Sequence, residues 1–268
     1  MPPDATVIPD ELEARWRGLQ WQLIPGVARP PLMNMALDEV LTLRVGRGER
    51  PPTIRIWGWS APCVVIGRFQ SVRNEVNEEA ARASGIEIVR RISGGGAMFI
   101  EPEGAITYSI YAPEEMARGM SFPASYAFFD AWVVRALRDL GVNAWYEPLN
   151  DITSTGGKVG GAAQARRGGA ILHHTTMAYQ MNIPLMLQVL RIGQEKLSDK
   201  GITSAEKRVG PLRQQTDLPR DVIIDLLVGS FRDRFGLTAG DVTGDELAEA
   251  ERLVTERFGT KEWIYFLP

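Results

Sequence analysis

The sequence predicts an α+β protein. Short alternating or wholly apolar runs fill positions 50 to 182, and helical periodicity takes over beyond them. No internal repeat, low-complexity tract or clear linker interrupts the chain. Strands and helices gathered in separate blocks argue for α+β over a doubly wound parallel sheet.

In order, residues 1–18 are polar and charged and predict a loose arm or short helix, and residues 19–268 read as one domain. Trp21 to Pro25 reads as a strand. Asn34 to about Arg47 reads as a helix, with Met35, Leu37, Val40, Leu41 and Leu43 near helical spacing and Asn34 as its N-cap. Thr53 to Trp57 alternates as a half-buried strand does. Cys63 to Gly67 is apolar throughout and suits a strand covered on both faces. Asn77 to Ser84 predicts a helix stopped at Gly85. Ile86 to Arg91 predicts a strand that runs into a triple-glycine loop, and Ala97 to Ile100 and Ala105 to Tyr111 predict two more. A helix spans about Pro123 to Leu140 and closes at Gly141. Lys158 to Arg166 and Ala170 to Asn182 predict a hairpin around Arg167-Gly168-Gly169. Leu185 to Leu197, Pro219 to Phe235 and Gly244 to Phe258 read as helices.

Composition excludes several classes. A chain of 268 residues with 44% apolar and 24% charged residues can bury a full core. A net charge of −3 gives no case for nucleic-acid or membrane binding. The N-terminus lacks a basic stretch followed by an apolar one, and no apolar run reaches membrane length, so a cytoplasmic protein is expected. One cysteine rules out an intrachain disulfide, and one cysteine with two histidines argues against a zinc site.

Two glycine-dense runs carry the chemistry. Arg90-Arg91-Ile92-Ser93-Gly94-Gly95-Gly96-Ala97-Met98-Phe99 offers backbone donors with no Cβ in the way, beside two cations. No Gly-Lys-Ser/Thr follows, and no helix opens after the third glycine, so neither a Walker loop nor a dinucleotide fingerprint fits. A tight turn or an anion cradle remains. Arg90 and Arg91 point to opposite faces of a strand, so one of them reaches the loop. Gly156-Gly157-Lys158-Val159-Gly160-Gly161-Ala162-Ala163-Gln164 holds one cation among small neighbours. Lys158 is either a solvated surface group or an ammonium bridging two anionic groups. His173 and His174 face opposite ways, so at most one lines a given pocket. Asn150-Asp151 is a turn pair or supplies a carboxylate for Mg²⁺ on phosphate oxygens. Cys63, in an apolar strand, reads as a buried inert thiol.

The first run resembles the Arg-Arg-x-Ser/Thr-Gly-Gly-Gly-Ala-Val signature of the lipoate–protein ligase and octanoyltransferase family. Asn34 to Glu39, Pro62 to Gln70, Asn150-Asp151, Gly157 to Gln164 and Leu172 to Met177 follow in that family's order. The resemblance implies a fold related to biotin–protein ligases and class II synthetase cores, with a large mixed sheet, a small sheet around the acyl pocket and flanking helices. It implies that lipoate or octanoate is activated with ATP to an acyl-adenylate and passed to a lysine of a lipoyl carrier domain. Such carriers are those of 2-oxoacid dehydrogenase E2 or a glycine cleavage H-type protein. By position, Arg91, Gly94, Gly95, Gly96, Ala97, Met98, Phe99 and His174 would hold nucleotide and acyl-adenylate. Lys158 would bridge carboxyl and phosphate oxygens, and Asp151 would support Mg²⁺. Two departures stand out. Ile100-Glu101 replaces a common His-Asp, and the chain has no room for the extra C-terminal domain of larger members, which implies a separate accessory polypeptide. The rival activity is octanoyl transfer from an acyl carrier through a cysteine thioester, for which only Cys63 is present. A non-catalytic acyl-binding protein and a biotin ligase are the remaining alternatives.

Overall fold

The computed structural model describes residues 9–191 and 209–267. Its first half runs α1 (Asp10–Arg17), β1 (Gln22–Arg29), α2 (Pro31–Gly46), β2 (Thr53–Trp59), β3 (Cys63–Ile66), α3 (Val72–Glu75), α4 (Glu78–Ala83), β4 (Glu87–Arg90), β5 (Met98–Ile100) and β6 (Ala105–Pro113). Next come α5 (Phe122–Asp139), β7 (Ala144–Glu147), β8 (Asp151–Ser154), β9 (Gly157–Arg167), β10 (Ala170–Ala178) and α6 (Ile183–Val189). The rest is α7 (Arg220–Phe235), β11 (Thr238–Ala239), α8 (Gly244–Leu253) and α9 (Lys261–Ile264). Of the predicted helix Leu185 to Leu197, α6 ends at Val189, where Leu190 turns extended and bridges to Val76, and the residues after Arg191 lie outside those described.

A mixed eight-stranded sheet has the order β11-β1-β2-β6-β10-β9-β8-β7, and a three-stranded sheet has the order β4-β3-β5. β1 lies parallel to β2 and β11, while the other neighbours in the large sheet are antiparallel. β6 and β10 are covered on both faces. Ile106, Tyr108 and Ile110 of β6 enter a core with Phe129 and Trp132 of α5 and Phe231 of α7. Tyr111 of β6 and Leu172 of β10 enter a second core with α2 and the small sheet. Burial on both sides removes the polar-out face of a half-solvated strand, so the polar residues of β10, His173 to Thr175, find partners inside the protein.

Three local differences from the sequence reading have physical causes. β1 continues past Pro25 to Arg29, because its register with β2 shifts between Ile24 and Val27 and an irregularity accommodates a proline. α2 starts at Pro31, where a missing N–H costs nothing, and Asn34 instead donates to Arg29 and Gly58 carbonyls. Third, of the loose arm or short helix expected for residues 1–18, residues 10–17 form the short helix, and it is packed rather than loose, with Trp16 fully buried and stacked on Trp21 and Phe235. The predicted hairpin stands: Arg167 pairs with Ala170 around Gly168 and Gly169, with φ of +58° and +82°.

Candidate active site

A cavity of about 320 Å³ lies between the two sheets, with mostly apolar walls. β5 supplies Met98, Phe99 and Ile100; β9 supplies Lys158 to Ala163; β10 supplies His174 and Thr176 to Ala178. Met181, Met186 and Leu190 complete the apolar lining. Arg91 and Gly96 reach it from the glycine loop, and Asn150 from the entry to β8. Glu101, which stands at the His-Asp departure, also lines the cavity and accepts a hydrogen bond from the Asn182 amide at 3.1 Å.

The two arginines before the loop do different work. Arg90 is fully buried and donates to the carbonyls of Gly67, Arg68 and Gln70 and to those of Trp263 and Ile264. It thus ties α9 to the back of the loop. Arg91 turns inward and donates to Gly94 O (2.7 Å) and Gly96 O (2.8 Å). Burial pulls its pKa down to about 10, which leaves it charged at neutral pH. With the loop carbonyls turned toward Arg91, the amides of Gly94, Gly95 and Gly96 donate to nothing among the described residues. The loop packs against Gly67, where a Cβ would sit 2.1 Å from Gly95 O, and Gly95 has φ +93°. A side chain at either position would break this close approach.

Lys158 sits at the cavity wall, half-exposed, with Nζ 2.7 Å from Asp151 Oδ1. The β8–β9 register shifts between Ile152 and Thr153, so β9 holds an extra residue, Val159, beside Lys158. Bulges of this kind re-aim side chains next to sites. Asp151 touches Lys158 from outside the cavity lining, and Gly94 and Gly95 likewise stand beside it.

His174 faces the cavity and His173 the opposite core. His173 is buried against Asp130, with Nε2 at 2.8 Å from Oδ1, and Gln164 lies at its Nδ1. His174 Nδ1 lies 2.7 Å from Asp38 Oδ2, and its Nε2 lies 2.6 Å from Ser93 Oγ. A carboxylate only accepts, so Nδ1 carries the proton and Nε2 accepts from the Ser93 hydroxyl. Asp38 Oδ1 is taken by Tyr111 Oη at 2.6 Å and Ser109 Oγ at 3.0 Å, with Arg55 3.5 Å away. Burial alone would raise the Asp38 carboxyl, but His174 and Arg55 hold it below its usual range. Burial lowers the His174 imidazole, against the pull of Asp38. The pair is therefore carboxylate and neutral imidazole. Asp38 and Ser93 carried no role in the sequence reading. The signal for Asp38 was an acid inside the apolar stretch Met35 to Leu41.

Cys63 is fully buried in the middle strand of the small sheet, and burial pushes its thiol well up. It lines no part of the cavity. Among the described residues no three His, Cys, Asp or Glu side chains gather as a metal site. A magnesium ion carried on phosphate needs only one or two carboxylates, and Asp151 offers one. No helix among the described residues is long and apolar enough to cross a membrane.

Residues 30–232 match the family described as the lipoyl protein ligase A/B catalytic domain. The chain is 31% identical to octanoyltransferase LipM of Symbiobacterium thermophilum, over 91% of this chain and 97% of that one. It is 30% identical to octanoyltransferase LipM of Kyrpidia tusciae, over 91% and 98%. Among solved structures, the bi-partite lipoate protein ligase of Thermoplasma acidophilum, studied with its E2 lipoyl domain, superposes with a TM-score of 0.81 at 26% identity, covering 93% of this chain and 98% of that one. A lipoate-protein ligase A bound with ATP has the same fold, at TM-score 0.78 and 24% identity, covering 93% and 100%.

Proposed function

Because the chain belongs to the lipoyl protein ligase A/B catalytic-domain family, we propose that it transfers a medium-chain acyl group, octanoyl or lipoyl, to a lysine amine of a lipoyl carrier domain. The observation that carries this reading is the apolar cavity between the sheets with Lys158 at its wall. Burying about seven methylenes there is worth on the order of 5–6 kcal/mol. Apolar walls separate such close analogues as octanoyl and lipoyl by only about 1–3 kcal/mol. The Lys158 ammonium and the amide of Gly96, both at the cavity wall, meet the acyl oxygen, where negative charge grows as the amine attacks. Ala97, Met98 and Phe99 hold the first part of the chain, and His174 lies beside the carbonyl end.

The acyl donor distinguishes two readings. Similarity to the octanoyltransferases supports an acyl-carrier thioester. Similarity to the bi-partite ligase, with the free glycine amides, Arg91, Lys158 and Asp151, supports an acyl-adenylate made from ATP. In that second reading Mg²⁺ would offset phosphate charge, and Asp151 would hold it after giving up Lys158. An accessory polypeptide belongs to the second reading alone. The test is acylation of a lipoyl domain, followed by intact mass. One arm supplies octanoyl-acyl carrier protein. The other supplies octanoate or lipoate with ATP and Mg²⁺, with and without an accessory-domain polypeptide. Modification in the first arm alone assigns the transferase. Modification with pyrophosphate release in the second assigns the ligase. No modification in any arm overturns the reading.

A further inference from the structure

We propose that Ser93 is the nucleophile that takes the acyl group from a thioester donor, activated by His174 and held in register by Asp38. The inference rests on the acyl-transfer reading and supplies what that reading lacks. A protein nucleophile at the carbonyl would split the donor exchange into two easier steps. The chain's single cysteine is sealed inside the small sheet. Ser93 stands directly before the glycine loop, with its Oγ 2.6 Å from His174 Nε2. His174 in turn donates to Asp38 at 2.7 Å. Hydroxyl, imidazole and carboxylate thus form one ordered chain, in the tautomer a base requires. Tyr111 and Ser109 occupy the other oxygen of Asp38, which leaves Oδ2 for the imidazole.

The surroundings match the same role. In unrelated acyl-transfer sites the amide following the nucleophile stabilises the oxyanion. Here the residues after Ser93 are Gly94, Gly95 and Gly96, whose amides have no partner among the described residues. Ser93 itself is 1% exposed, while His174 and Gly96 line the cavity. Oγ lies behind that lining, at hydrogen-bond distance from the cavity-lining His174, and the backbone at Gly96 is open enough that an added Cβ would meet nothing within 4 Å.

The step balances without a further reagent. Oγ forms a C–O bond to the acyl carbon as the C–S bond breaks. The Ser93 proton passes to His174 Nε2 and then to the departing thiolate. The acceptor lysine amine next attacks the oxyester, the C–O bond breaks, and an amine proton returns through His174 to Ser93 Oγ. Ser93 and His174 are catalytic in this scheme, and Asp38 is a positioning residue.

The test incubates the full chain with octanoyl-acyl carrier protein, quenches in acid within seconds and maps the adduct by mass spectrometry. One octanoyl group is expected on the peptide holding Ser93. It should survive neutral hydroxylamine, which strips thioesters, and vanish when lipoyl domain is added. Ser93→Ala should lose the adduct and slow transfer by about 100-fold or more. Ser93→Cys should carry an adduct that hydroxylamine removes, and it decides the matter if the alanine variant fails to fold. Asp38→Asn should lower the adduct-formation rate with little change in KM for the donor. Transfer by the wild-type chain with no adduct, or transfer by Ser93→Ala at the wild-type rate, overturns the proposal and leaves acyl transfer standing. An adduct with no transfer keeps the nucleophile and removes the function. Neither adduct nor transfer removes both.

Discussion

Replacing Lys158 with alanine should separate chemistry from stability. Its ion pair with Asp151 has side chains that are 47% and 31% exposed. A pair so open to solvent is worth less than about 1 kcal/mol. In a chain of this size that shifts the melting midpoint by no more than about 2–4 °C. Loss of one charge-stabilising donor at an acyl-transfer site costs about 2.7–4 kcal/mol in the transition state, or roughly 10²–10³ in rate. Affinity for the acyl donor should change little, because the chain is held by apolar walls rather than by the ammonium. The assay is a time course of lipoyl-domain mass, run beside a thermal melt of the same sample. Transfer within about threefold of wild type would refute the role given to Lys158. A melting midpoint lowered by about 10 °C would refute it too, because the loss of rate would then follow from unfolding.

Five other outcomes are expected. Cys63→Ala should keep acyl transfer and lose about 1–3 kcal/mol in urea unfolding, since its thiol fills the small sheet and touches no cavity. Arg90→Leu would leave the carbonyls of Arg68, Gln70 and Ile264 without a donor among the described residues and take one of two from Gly67 and Trp263, and should cost more than about 3 kcal/mol by the same measurement. Gly67→Ala drives a Cβ to 2.1 Å from Gly95 O, so backbone must shift; transfer should fall about tenfold or more, with about 1–3 kcal/mol of lost stability. The lowered imidazole of His174 should keep transfer flat down through pH of about 6.5 and cut it below. Where the unfolded imidazole binds a proton and the folded one does not, stability falls as pH drops; the depressed Asp38 carboxyl extends that loss to lower pH, so urea midpoints should decline from about pH 7 to pH 4 and His174→Gln should flatten the upper part.

The glycine loop and Lys158 were legible because their demands are local. Triple glycine announces a backbone that other atoms must approach, and strand alternation says that Arg90 and Arg91 part company. Nothing local says that Arg90 is spent on carbonyls of Trp263 and Ile264, which lie in another part of the chain. Asp38 looked like one polar residue of a helix start. Its meaning comes from His174 on β10, which the fold alone brings to it. Trp16 likewise reads as part of a polar arm until α7 supplies Phe231 and Phe235. β1 outran its expected end because a proline breaks a regular ladder but not an irregular one.

The adjacent imidazoles of β10 also act as a key during folding. One must find Asp130 on the helix-covered side, and the other must find Asp38 across the sheet. Sliding the strand by a single step against β6 or β9 would bring Leu172 or Thr175 to one of the two acids and strand that buried carboxylate without its imidazole. The strand thereby acquires a preferred alignment, and the cavity wall that His174 and Thr176 to Ala178 supply is assembled in the same stroke.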